Sequence, residues 1–307
     1  MNITYHIVYS VCWLVSLLPL WALYRVSDGL YYLLYHLVRY RRPLVRKNLT
    51  DSFPDKTEAE IIKIEKEFYS WLCDYFVETL KLFTVSKAEI SRRMTFKGVD
   101  AVRRAVDNGQ SCALYLGHYC NWEWVTSFPL TIGDKAICGQ IYHVLENPSF
   151  DRLFLRLRER MGAVCIPMAE TLRHIARYRH EGKPVIIGFI ADQVPFWNNI
   201  HYWTDFLNHD TPVLTGTERI VHKAGFAAFY VDMRRTRRGY YSAEFIPLTY
   251  SPAELKEFEL TEMYFRLLEK TILRQPPYWL WTHNRWKRTR EEWEKIIDPV
   301  TKKMRFQ

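Results

Sequence analysis

No two of the six cysteines, at positions 12, 73, 112, 120, 138 and 165, are spaced as Cys-x-x-Cys, and most lie inside apolar stretches. Their spacing excludes a paired redox motif and leaves buried free thiols in a reducing compartment as the expectation. Cys112, His118 and Cys120 stand close together, but no second ligand pair follows at metal-binding spacing, so no metal site is expected. The chain also lacks a Gly-x-Ser-x-Gly elbow, a recognisable RNA-binding motif, internal repeats, low-complexity tracts and an inter-domain linker. Nucleic acid is accordingly not an expected partner. Long apolar runs are scarce too. The one candidate for a membrane segment is Ile7 to Tyr24 (IVYSVCWLVSLLPLWALY), an uncharged stretch of 18 residues. As a helix it would be about 27 Å long, marginal for a bilayer core. No Lys or Arg precedes it, unlike a secretory signal.

Acidic residues are missing from Gly29 to Thr50, where Arg39, Arg41, Arg42, Arg46 and Lys47 gather. By the positive-inside rule this cluster keeps the bulk of the chain cytoplasmic, with its charges on anionic headgroups. Pro19 leaves room for a re-entrant or interfacial anchor instead of a spanning one. The expected division is an anchor with a basic interfacial segment, 1–47, followed by a catalytic domain, 48–307. The whole chain of 307 residues carries 43 Lys+Arg against 34 Asp+Glu, a formal charge of +9, with 11 Trp and 20 Tyr. Such a balance suits a membrane surface or an acidic protein partner.

Thr57 to Phe83 has the three-and-four spacing of an amphipathic helix, with Asp55 or Thr57 as its cap. Helices and strands then alternate. Helices are expected at 98–107, 148–161 and 169–180, and strands at Cys112–Leu116, 136–142, 163–167 and Val185–Ile190. Thr211 to Lys223 reads as helix, Phe226–Met233 and Tyr241–Pro247 as a strand pair, and 252–273 and 289–297 as closing helices. This order predicts an α/β fold, a mixed sheet covered by helices, preceded by the N-terminal membrane-anchor helix. Arg234, Arg235, Arg237 and Arg238 fall at the tip of the expected strand pair.

Residues 116–124, LGHYCNWEW, place His118 and Glu123 five apart. On a straight helix their side chains would diverge by about 140°. Here Ala113–Leu116 reads as a buried strand, Gly117 as a tight turn and Asn121 as a helix cap, so the chain bends between the pair. His118 then lies at the carboxyl end of a strand, where open α/β sheets build their sites. A carboxylate that fixes the imidazole tautomer leaves the other ring nitrogen free to take a proton from a hydroxyl. A His–Glu contact that merely caps a helix is the alternative.

The pattern GHYCNWEW resembles the GH-x-GNWE block of the lipid A late acyltransferase family, within the lysophospholipid acyltransferase superfamily marked by H-x4-D/E. Three further blocks follow in the family's order: ENPSFDRLFLRLRERMG (146–162), VIIGFIADQ (185–193) and YWLWTHNRWK (278–287). The resemblance implies a glycerolipid acyltransferase-like fold in the bacterial inner membrane, with its catalytic domain on the cytoplasmic side. It implies transfer of a fatty acyl chain from an acyl carrier protein or coenzyme A thioester to a hydroxyl of a membrane lipid precursor, with no cofactor beyond that co-substrate. His118 would be the base and Glu123 its orienting partner. Arg158, with Arg156 and Arg160 as rivals, would hold a headgroup or polarise the carbonyl. Asp192 and Gln193 would line the site, and Arg285, with Lys287, would contact substrate. The chain departs from the family pattern at Cys120 (commonly Gly), at His143-Val144 (commonly Arg-Pro) and at Phe206-Leu207-Asn208 (commonly Phe-Phe-Gly). An amino-acid-linked lipid or a lysophospholipid are alternative acceptors. A catalytically silent lipid-binding protein of the same fold is the alternative function.

Overall fold

The computed structural model describes residues 3–298; the outermost parts of the two expected segments, 1–2 and 299–307, lie outside the described residues. The N-terminal apolar run forms two helices, α1 (Ile3–Leu17) and α2 (Leu20–Tyr32), the latter continuing through a π-helical turn, Leu33–Leu37. The expectation of one anchor helix is corrected here. The two arms bend by 115° at Leu18–Pro19, and among the described residues no single helix is long and apolar enough to cross a membrane. Pro19 supplies the break, since it has no N–H for the helical ladder. Lys81 Nζ then holds the break by donating to the carbonyls of Ser16 and Leu18, each at 2.9 Å.

Helices α3 (Arg42–Ser52) and α4 (Glu58–Lys81) follow. Thr57 and Glu60 form a reciprocal capping box that starts α4 where the sequence suggests. Leu20 and Leu23 of α2, Val45 and Leu49 of α3 and Phe68 and Trp71 of α4 are all buried in the same hydrophobic core as the sheet. The basic cluster is only partly free for headgroups. Arg42 and Arg46 both bind the fully buried Glu65, whereas Arg39 and Arg41 remain exposed.

Next come α5 (Lys87–Arg93), β1 (Met94–Lys97), α6 (Val99–Asp107), β2 (Cys112–Leu116), α7 (Pro129–Ile132), β3 (Ile137–Tyr142), α8 (Pro148–Glu159), β4 (Val164–Pro167), α9 (Thr171–His180) and β5 (Val185–Ile190). The chain closes with β6 (Tyr202–Phe206), β7 (His209–Val213), α10 (Gly216–Ala224), β8 (Ala227–Arg237), β9 (Tyr240–Thr249), α11 (Glu259–Arg274) and α12 (Arg290–Ile296). Seven strands make one sheet in the order β1-β9-β8-β2-β5-β3-β4. Only β8 and β9 run antiparallel to each other, so the sheet is mixed, as expected.

The strands β1 and β6 are not among those expected, the closing helix expected at 252–273 begins only at Glu259, and two further elements differ from the sequence reading. The start of the expected helix at Thr211 belongs to a separate hairpin, β6–β7, and the helix begins only at Gly216. Leu207 and Asn208 turn that hairpin with φ of 52° and 64°, the left-handed pair of a type I′ turn. At the β8–β9 tip, Arg235 and Arg238 point inward onto the buried Asp74 rather than outward.

Candidate active site

The register of the central strands builds the site. β2 and β5 pair in parallel with Leu116 opposite Ile190. Two residues further along each strand come His118 and Asp192, which therefore face each other at the carboxyl end of the sheet. His118 Nδ1 lies 2.6 Å from Asp192 Oδ1. Asp192 Oδ2 accepts the His118 backbone N–H and the Trp279 indole Nε1–H, both at 2.8 Å. Three donors thus fix a buried carboxylate. Burial alone would raise its pKa, but the His118 imidazole and these hydrogen bonds outweigh it and bring Asp192 down to about 2. An ionised Asp192 can only accept, so Nδ1 carries a proton, and in the neutral imidazole Nε2 is then the acceptor. Gln193 Nε2 stands 3.3 Å from it. The imidazole edge meets the Trp122 ring at 5.1 Å between centroids, and the side chain keeps 19% of its exposure.

Glu123 is not on the imidazole. Its carboxylate takes a bidentate pair from Arg158, with Nε at 2.8 Å and Nη2 at 2.6 Å. Arg158 reaches it from α8, and Glu123 is 3% exposed. Of the three arginines on that segment, Arg156 lies over the Tyr9 ring and Arg160 donates to the carbonyls of Leu82 and Val85. The expectation that Glu123 orients His118 directly is therefore corrected: the carboxylate in contact is Asp192. Sequence proximity favoured Glu123, but the short helical turn at Trp122–Ser127 presents it to α8 instead.

The turn between His118 and Glu123 shows what one departure from the family pattern costs. Cys120 adopts φ 53°, the left-handed region where glycine is free of penalty and a side chain is not. The segment is held there by the Cys120 N–H on the Tyr278 carbonyl (2.8 Å) and the Leu280 N–H on the His118 carbonyl (3.1 Å). Asn121 caps the next turn, as expected, accepting the Trp124 N–H at 3.1 Å. Gly117 does not need a positive φ. A Cβ there would stand 2.6 Å from Leu268 Cδ1 and 3.3 Å from Asp192 Oδ2, so any side chain would displace Leu268 and crowd the carboxylate.

The C-terminal block supports the site from behind. Trp279, which the sequence reading did not single out, holds Asp192. His283 Nε2 accepts the Val194 N–H at 3.3 Å, and burial pushes its pKa down to about 4. Arg285 is fully buried, with Nη2 on the Pro212 carbonyl at 2.7 Å. Burial lowers its pKa to about 10, against the opposing pull of Asp192. Its guanidinium has no exposed surface, so the substrate contact expected of Arg285 has no counterpart in this arrangement.

A seven-stranded sheet flanked by helices, with a carboxylate-held histidine at its carboxyl end, defines an α/β enzyme site. The family model for bacterial lipid A biosynthesis acyltransferases matches residues 1–288, and the chain belongs to that family. Among curated proteins, none matches the chain.

Proposed function

We propose that the protein moves a fatty acyl chain from an acyl carrier protein thioester to a hydroxyl of a lipid A precursor, with His118 as general base. The observation that carries this reading is the 2.6 Å contact between His118 Nδ1 and Asp192. It leaves Nε2 as the acceptor for the hydroxyl proton, and the ionised carboxylate stabilises the imidazolium that forms as the oxygen attacks the thioester carbonyl. The collapsing intermediate expels the thiolate, which recovers the proton from His118. The Gln193 amide, 3.3 Å from Nε2, yields that nitrogen to the hydroxyl. Glu123 serves indirectly, by fixing Arg158. The test is transfer by purified protein from a lauroyl carrier-protein thioester to a lipid A precursor, read by mass spectrometry. Wild type should form the acylated lipid and His118→Ala should not; equal product from both would overturn the mechanism.

The N-terminal arms fit a lipid surface. Ile7, Val11, Leu14, Leu17, Leu18 and Trp21 are all at least 42% exposed along α1 and the elbow. Arg25, Arg39 and Arg41 are exposed nearby in the sequence, as in an interfacial anchor that enters one leaflet. Leu14→Glu, Leu18→Glu and Trp21→Glu together should move the protein from the membrane pellet to the soluble fraction. Their exposed positions leave the core intact, so the melting temperature should change little. Full membrane retention of the triple variant in high salt would relocate the contact.

A further inference from the structure

Three structural elements and the catalytic turn meet at one buried carboxylate that the acyl-transfer chemistry does not use. Glu78, on α4, is fully buried. Its Oε2 accepts the Asn121 Nδ2–H at 2.7 Å and the Tyr241 hydroxyl of β9 at 2.8 Å. Its Oε1 accepts the Tyr24 hydroxyl of α2 at 2.9 Å. The Glu78 backbone carbonyl takes the Trp124 indole N–H at 3.1 Å. Asn121 and Trp124 flank Glu123, and Asn121 lies three residues beyond His118, next to the strained Cys120. Holding a non-glycine residue at positive φ requires surroundings that over-determine it. The side-chain tie from the rest of the fold to Asn121 runs to Glu78, while Asn121 Oδ1 faces its own turn.

We propose that Glu78 is a positioning residue for acyl transfer: through Asn121 it fixes the His118–Glu123 turn, and through Tyr24 it makes that hold depend on the seating of α2. The N-terminal helices are thereby part of the site's support as well as the contact with lipid. The reading rests on the acyl-transfer function proposed above. Truncating Glu78 frees the turn without touching the imidazole or Asp192. The cost should therefore fall on the alignment of the base with the hydroxyl, which is a kcat effect.

In the same lauroyl-transfer assay, Glu78→Ala should lower kcat about 10²-fold, the scale of a small misplacement of reacting groups, with little change in KM for the thioester. Glu78→Gln should restore most of the rate. Its amide oxygen can accept from Asn121 and Tyr241, and its NH2 can donate to the Tyr24 oxygen. Leu49→Ala, an equally buried truncation in α3, supplies the fall in melting temperature that leaves kcat in place. Asn121→Ala combined with Glu78→Ala should cost less than the sum of the two single variants, since the link between them is already broken in either one. Equal kcat in Glu78→Ala and Leu49→Ala, or fully additive losses in the double variant, would overturn the proposal. Should Glu78→Ala fail to fold, Tyr24→Phe and Tyr241→Phe each remove one hydroxyl, and unchanged kcat in both would overturn it as well. An inactive wild type counts against acyl transfer itself; an active wild type with unaffected variants counts against Glu78 alone.

Discussion

Asp192→Asn is expected to lower kcat by roughly 10⁴-fold, close to the loss from removing His118, while the thioester still binds. An amide is nearly isosteric with the carboxylate, and its oxygen can keep two of the three donors. It cannot stabilise an imidazolium, and its NH2 favours the tautomer with the proton on Nε2, where the hydroxyl must deliver its own. The backbone N–H of His118 and the Trp279 indole both donate to Oδ2, so the asparagine orients its oxygen toward them. Its NH2 then falls on Nδ1. Steady-state kinetics on a variant whose melting curve matches wild type will show this as a kcat effect. A fall of less than about tenfold would return the orienting role to Glu123.

Arg158→Met is expected to destabilise the fold by about 3–5 kcal/mol, because Glu123 is left as a buried carboxylate without its counter-charge. The pair is bidentate and little exposed on either side, with 22% for Arg158 and 3% for Glu123. Burial opposes the charge on Arg158, and the Glu123 hydrogen bond more than offsets it, raising the guanidinium pKa. Adding Glu123→Gln to Arg158→Met should recover much of the loss, since the stranded charge is gone. Denaturant unfolding of the two single variants and the double variant measures the cycle. Equal stability of Arg158→Met and the double variant would show that the charge of Glu123 is tolerated without a partner.

Much of the site can be read along the chain, and the remainder depends on what the chain meets when folded. The strand at Ala113–Leu116, the cap at Asn121 and the exposed end of a sheet at His118 follow from local residue types. Asp192 and Gln193 could be placed in the site by resemblance. That Asp192 takes the imidazole could not, because the contact is set by the register of two strands 74 positions apart. Glu123 was favoured by closeness in sequence, but its partner comes from α8. The paired left-handed turn at Leu207-Asn208 carries no glycine, which hid the β6–β7 hairpin and merged β7 with α10. Arg285 read as a substrate contact because no local pattern signals full burial. The break at Pro19 was visible; the lysine that caps it, Lys81, lies on another helix.

The in-register pairing of β2 with β5 also bears on how the enzyme comes into being. Their partnership must close a loop of some seventy residues, an entropic cost met only once much of the chain is in place, and such distant parallel contacts form slowly. A slip of one residue would turn either His118 or Asp192 to the opposite face. Before the strands lock, the imidazole has neither its carboxylate nor its fixed tautomer. On the proposed mechanism, a nascent or damaged chain is therefore chemically mute. Heat inactivation should accompany loss of the sheet, since the His118–Asp192 contact exists only while β2 and β5 are paired.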